Sequence, residues 1–324
     1  MDSGLRTQDS GTIVAYIDAR LGNQLFRYAF ARALQVKFYP DYDLVLDVSS
    51  FKNATPSQIR NGFENSLKYF RIKYSSYSYT TMKHKRLFMR VRRQIRRLPE
   101  KILNFVDGYM LRPLLHRMGY YVPMGVSGYI KPLKSSSRKI FCNADFENPT
   151  YFNDIRDLLL EELTPTAEPL PENVALLGRI QSSESVCVHI RRGDFLSPGN
   201  ASFFHVCDEN YFITAMKAIR EEIPDCKFFV FSDDVEEVKK NFHLPFDAEY
   251  AASSIPPYET LRLMYSCKLF IISNSTFSWW AQYLSRNPNK IVYAPTPWHW
   301  SGKYGEQWSG LYLPYMRTIA CHKH

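Results

Sequence analysis

The chain has 324 residues, of which 45% are hydrophobic and 15% aromatic, so it can bury one large core or two ordinary ones and is not globally disordered. Its net charge of +9 is concentrated, because residues 83–101 (KHKRLFMRVRRQIRRLPEK) hold nine Lys/Arg and one Glu and account for +8 of it. The nearly neutral remainder argues against a general nucleic-acid coat.

The opening stretch MDSGLRTQDS is polar and does not resemble a signal peptide. The β-branched run from Ile13 to Ile17 predicts a strand, a turn is expected at Gly22-Asn23, and Leu25, Tyr28, Ala29, Arg32 and Ala33 then recur at helical spacing. That is a β-loop-α unit with a glycine where backbone could approach a ligand. LVLDV (44–48) predicts the next strand. Residues 83–101 place Leu87, Val91, Ile95 and Leu98 on one face of a basic amphipathic helix. Such a helix is either a solvated charged face or a peripheral contact with an anionic membrane. YFNDIRDLLLEEL (151–163) predicts one helix, and TPTAEPLPEN after it reads as an inter-domain linker.

Beyond the linker, strands and helices alternate. SVCVHI, KFFVFS, LFIIS and KIVYAP read as strands. ENYFITAMKAIREEI and YETLRLMYSCK read as helices, and STFSWWAQYLS as a loop opening into a third. Wholly apolar strands alternating with helices imply a parallel sheet covered on both faces. Ligands of such folds sit at the carboxyl ends of the strands. No run approaches the roughly 20 apolar residues of a membrane span. Six cysteines show neither a CxxC pair nor metal-ligand spacing, which fits free thiols in a reducing compartment. The sequons at Asn53, Asn200 and Asn274 then have no role, and the expectation is a soluble cytoplasmic protein.

Three strand ends carry the chemistry. SVCVHIRRGDF (185–195) runs from a strand into two arginines. Arg192-Gly193-Asp194 spells an adhesion tripeptide, which would need an exposed loop; alternatively Arg191 or Arg192 offers a planar fork to phosphate. In SNSTFSWW (273–280), Ser275, Thr276 and Ser278 lie at a helix start, either as an anion site or as a plain N-cap. Asp233-Asp234 could bind metal, accept hydrogen bonds from a base or ribose, or cap a helix. The DYD at 41–43 precedes its strand, unlike a metal-binding DxD, and neither GxxxxGK[ST] nor GxGxxG occurs.

ARLGNQLFRYAFARAL, HIRRGDF, FVFSDD and CKLFIISNSTFSWWAQYL, in this order, closely resemble the α-1,2-fucosyltransferases of glycosyltransferase family 11. The resemblance covers most of the chain from about residue 11. It implies an α/β, GT-B-like fold of two Rossmann-like domains facing a central cleft, an acceptor-side domain at 11–165 and a GDP-fucose-binding domain at 180–324. It implies inverting transfer of L-fucose from GDP-fucose to the 2-hydroxyl of a galactose-terminated glycan, with neither metal nor cofactor. Carried over by position, Arg191 would bind the β-phosphate, and Arg192 would assist it or brace the loop. His189 and Asp194 would border the nucleotide, with Asp233, Asp234, Asn274 and Phe277 around it. Ser275, Thr276 and Ser278 would cradle the diphosphate, and Arg20, Gly22, Asn23 and Gln24 would face the sugar.

The chain departs from the family's pattern at three places. Thr260 stands where Asp is usual beside Glu259, Glu147 stands at a Gln position, and Glu237 stands where a Trp follows SDD. Asp194 is the candidate base, with Glu147 and the leaving phosphate as alternatives. A silent GDP-sugar or glycan-binding relative would keep the same fold, and a GDP-mannose enzyme would differ only around the sugar C6.

Overall fold

The computed structural model describes residues 11–78, 111–122, 129, 131–193, 207–299 and 309–321. The basic segment 83–101 and Asp194 lie outside these residues. The chain divides into two compact units, the first comprising residues 1–68 and 72–162 and the second residues 69–71 and 163–324. Among the described residues no helix is long and apolar enough to cross a membrane.

The first unit is built on a five-stranded sheet of β1 (Thr12–Tyr16), β2 (Asp43–Asp47), β3 (Ser76–Ser78), β4 (Tyr120–Tyr121) and β5 (Lys139–Cys142), in the order β3-β2-β1-β5-β4. All its pairings are parallel. β1 is central, so its Ile13, Val14 and Ala15 are buried, as an apolar strand covered on both faces requires. The helix that follows begins at Leu21 and runs to Phe38, so Gly22 and Asn23 lie in its first turn and not in the turn expected there. The chain reverses earlier because Asp18 Oδ1 accepts the Ala19 amide at 2.8 Å and Ala19 takes φ +66°. A short side chain that holds its own backbone does here what a glycine was expected to do.

The helix predicted over 151–163 is broken. Short 3-10 turns at Pro149–Tyr151 and Asn153–Ile155 precede a helix over Arg156–Glu162. Phe152 leaves the helical region at φ −137°, ψ 5°, which interrupts the run. Glu162, 3% exposed, ends this helix and accepts hydrogen bonds from Tyr28 Oη at 2.5 Å and Arg32 Nη2 at 2.8 Å, both on Leu21–Phe38.

The second unit has a six-stranded parallel sheet of β6 (Ser185–Ile190), β7 (Lys227–Ser232), β8 (Ala248–Tyr250), β9 (Leu269–Ile271), β10 (Val292–Thr296) and β11 (Met316–Ala320). The order is β11-β10-β9-β6-β7-β8. Counted from β6, that is the doubly wound order 3-2-1-4-5-6 of a Rossmann sheet. β8 and β11 are additions to the sequence reading. Both are edge strands, and β11 exposes most of its length, so neither has the apolar run that marked the interior strands. The expected linker belongs to this unit. Leu170 N donates to buried Glu259 at 3.0 Å, and Arg262 Nη2 donates to the Ala167 carbonyl. All six cysteines are free and buried.

Because Glu162 holds both Tyr28 and Arg32, its loss leaves a mostly buried guanidinium without its partner. Glu162→Ala is expected to destabilise the first unit by about 3 kcal/mol. The check is a lower urea midpoint at an unchanged slope, and a loss below about 1 kcal/mol would show the pair to be incidental.

Candidate functional site

In the second unit the strand order turns around between β6 and β9, and the carboxyl ends of those strands flank the crevice where doubly wound sheets bind ligands. One hydroxyl joins the two ends. Ser273, fully buried just past β9, donates to the His189 carbonyl at 2.5 Å and accepts the Arg191 amide at 3.0 Å. The third strand end, that of β7, delivers Asp233. Its Oδ2 pairs with Arg191 Nη1 at 2.9 Å, and its Oδ1 accepts the Arg192 amide at 2.9 Å. One carboxylate therefore fixes both the guanidinium of Arg191 and the backbone that follows it.

This explains the glycine of the RGD triplet. A Cβ on Gly193 would lie 2.1 Å from Asp233 Oδ2 and 2.9 Å from its Cγ, so a side chain and the carboxylate cannot share the space. Arg192 is turned away from Arg191. It pairs with both oxygens of Glu237 at 2.8 Å and lies 5.0 Å over the Phe242 ring, contacts that brace the loop. Burial raises the pKa of Glu237, but hydrogen bonds from Arg192 and Asn241 outweigh it, and the carboxyl stays below its ordinary range. Asp234 accepts the Glu237 amide at 3.0 Å and caps the helix Val235–Asn241, the third of the readings open to it.

The 273–278 turn divides its residues between frame and face. Ser278 is fully buried and directs its hydroxyl at the carbonyls of Ser273 and Ser275, both at 3.1 Å, so it shapes the turn and does not line a cradle. Asn274 is anchored to the Trp298 carbonyl at 3.0 Å. Ser275 is the N-cap of the helix Thr276–Leu284, accepting the Phe277 amide at 3.3 Å. Thr276 and Phe277 are the half-buried residues at the helix start, where backbone amides and the helix dipole favour an anion. His189 is 3% exposed, and burial, then the charge of Arg191, push its pKa down to about 3. It is neutral at physiological pH. Its Nδ1 has no hydrogen-bond partner among the described residues, and its ring lies 5.9 Å from that of Phe277.

In the first unit the corresponding reversal lies between β1 and β5. Arg20 is the N-cap of Leu21–Phe38, and Gly22 is buried in its first turn. Gln24 does not face a ligand. It is fully buried, donates to the carbonyls of Ala19 and Glu64 at 2.8 and 2.7 Å, and accepts the Ser66 amide at 3.0 Å. Asn23 points to the loop after β5 and donates to Glu147 Oε1 at 3.4 Å.

Two essential supports escaped the sequence reading. Ser273 is an ordinary serine beside a more conspicuous cluster, and Glu237 drew notice only as a replaced Trp. The signal for Glu237 was its place three residues after a capping Asp. An arginine fork at a strand end beside a helix start suits two linked phosphates. Gly193→Ala is expected to displace Asp233 and weaken calorimetric binding of a nucleoside diphosphate by about tenfold. Binding within twofold of wild type would show that Asp233 does not set the arginine.

Residues 12–307 match the family described as Glycosyl transferase family 11. The chain is 30% identical over 291 residues to an O-antigen biosynthesis glycosyltransferase of Escherichia coli, WbnK, covering 86% of this chain and 92% of that protein. It is 29% identical to an α-1,2-colitosyltransferase of Escherichia coli, covering 88% and 92%. It is similar to the fucosyltransferase NodZ from Bradyrhizobium at 14% identity and a TM-score of 0.45, covering 85% and 93%. The matched span takes in the first unit from its first strand, the second unit as far as β10 and every residue of the arginine site, and the chain belongs to glycosyltransferase family 11.

Proposed function

We propose that this enzyme transfers L-fucose from GDP-fucose to the 2-hydroxyl of a galactose residue in a surface glycan, with inversion and without a metal ion. The observation that carries this reading is Arg191, held by Asp233 beside the start of the helix Thr276–Leu284 at the reversal of the second sheet. Cleaving a sugar–diphosphate bond builds positive charge on the anomeric carbon and negative charge on the leaving oxygens. Fixed donors aimed at that negative charge supply the largest catalytic term. Arg191 and the amides of the helix start are such donors. Neutral His189 packs beside Arg191 without adding a competing positive charge. GDP-fucose is β-linked and the product α-linked, so one in-line attack by the acceptor hydroxyl completes the reaction. The hydroxyl proton passes to a carboxylate, for which Asp194 is the residue proposed.

The engagement of the aspartates favours a reaction without metal. Both oxygens of Asp233 serve the arginine loop, and Asp234 Oδ1 caps a helix. The arginine and the helix start would then carry the neutralising role of Mg²⁺ or Mn²⁺. A second donor is favoured by the similarity to a colitosyltransferase over most of this chain. Colitose is L-fucose without its 3-hydroxyl, so rates with GDP-fucose and GDP-colitose on the same β-galactosides separate the two readings.

Lysine at position 191 would keep the charge and lose the planar fork. Arg191→Lys is expected to lower the rate of transfer about a hundredfold in a folded protein, the loss of one transition-state donor. Retention of more than a third of wild-type activity would refute the clamp. Exhaustive EDTA treatment should leave the rate unchanged; a collapse reversed by added Mn²⁺ would point instead to Asp233 and Asp234 as ligands.

A further inference from the structure

The first unit carries a polar group that its own framework does not use. At the reversal between β1 and β5, the crevice is flanked by the start of the helix Leu21–Phe38 and by residues 143–148 after β5. Phe146 in that loop takes φ +52°, a left-handed conformation that a bulky side chain adopts only when its surroundings enforce it. The enforcement is visible. Its ring stacks on Phe30 at 3.6 Å with 5° between the planes, and its carbonyl accepts the Asn148 amide at 2.7 Å.

The consequence of this turn is the setting of Glu147. Among the described residues its Oε1 receives only a long hydrogen bond, 3.4 Å, from Asn23 Nδ2. Its Oε2 is buried and has no hydrogen-bond partner among the described residues. The nearby cation does not answer it, because Arg27 is engaged by Asp145 at 2.6 Å and by the Tyr16 carbonyl at 3.2 Å. A strained residue and an orphaned buried oxygen in consecutive positions both destabilise the fold, and such features gather where a ligand supplies the missing partner.

We propose that Glu147 and Asn23 form a subsite of the first unit that binds one hydroxyl of the acceptor sugar. A hydroxyl both donates and accepts, and a carboxyl beside a carboxamide offers both complements. Burial first, and Asp145 second, hold the Glu147 carboxyl well above its usual range against the pull of Arg27, so it can present an O–H as well as an oxygen. A sugar hydroxyl is neutral and matches such a pair. The inference rests on the proposed function for its ligand class, a glycosyl acceptor, and assigns Glu147 the role of selecting it.

The test compares wild type, Glu147→Ala and Glu147→Gln with GDP-fucose and lactose, including lactose deoxygenated in turn at each galactose position. Glu147→Ala should raise the acceptor KM about tenfold, the effect of one lost hydrogen bond, with little change in kcat or in the KM for GDP-fucose. Glu147→Gln should recover most of that loss. One deoxy-lactose should be used equally well by wild type and Glu147→Ala, which identifies the hydroxyl bound. Thermal stability of Glu147→Ala should be unchanged or higher, since an orphaned group is removed. An unchanged acceptor KM, or a kcat loss of similar size in both variants, would overturn the subsite. If wild type transfers to no β-galactoside from any GDP-sugar, the proposed function fails separately. Saturation-transfer signals of lactose on wild type and Glu147→Ala then decide the subsite by themselves, equal signals overturning it.

Discussion

The second unit depends on one carboxylate serving two masters. Asp233 reaches from the end of β7 to the guanidinium of Arg191 and the amide of Arg192, so it fixes a side chain and the loop beneath it together. Both side chains of the ion pair are partly exposed, 14% and 25%, so the pair is not a large source of stability. In the proposed reaction its importance is geometric. A guanidinium at a strand end would otherwise sample many rotamers, and a donor stabilises a transition state only if it is already aimed when charge develops. Gly193 is a further consequence, because the carboxylate occupies the volume a side chain would need. The adhesion-like triplet is thus what remains when an arginine, a close approach and the next residue fall in a row.

The supports around this pair form a closed set. Ser273 ties β6 to the turn after β9, Glu237 holds Arg192 against Phe242, and Asp234 starts the helix that carries Glu237. Each group is a polar side chain bonded to backbone or to a charged partner. Arg191 therefore stands on three strand ends, which is where a parallel sheet is most rigid and its edge still open to ligand.

The sequence made the interior of the fold legible and its margins obscure. SVCVHI, KFFVFS and LFIIS are largely apolar runs because both their faces are covered, so β6, β7 and β9 were plain. Edge strands β8 and β11 are short or half-exposed and lack that mark. The turn at Asp18-Ala19 was hidden because an alanine at positive φ has no signature, whereas Gly22 drew attention and proved helical. Within the site, charge following an apolar strand was informative at Arg191 and Asp233. Residue type could not separate frame from face at Gln24, Asn274 and Ser278, since the same hydroxyls and amides serve both. Their hydrogen bonds do so: Gln24 and Ser278 are fully buried and direct their bonds at backbone groups.

The two Rossmann-like units place different chemistry at equivalent positions of their sheets. At its reversal the second carries a cation, a neutral histidine and a helix start; the first carries, beside Arg20 at its own helix start, a carboxamide and a carboxyl that burial keeps from ionising readily. Glycosyl transfer asks for this division. The leaving group gains negative charge during the reaction, so a preset cation near it acts on the barrier itself. The acceptor arrives neutral, and recognising its hydroxyls takes groups that both give and receive a hydrogen bond. A fully charged carboxylate there would only accept, and it would be expensive to bury without a partner. The environment of Glu147, strained at Phe146 and without a hydrogen bond from Arg27, which pairs with Asp145, therefore suits the proposed reading of a hydroxyl as Arg191 suits the proposed binding of a phosphate.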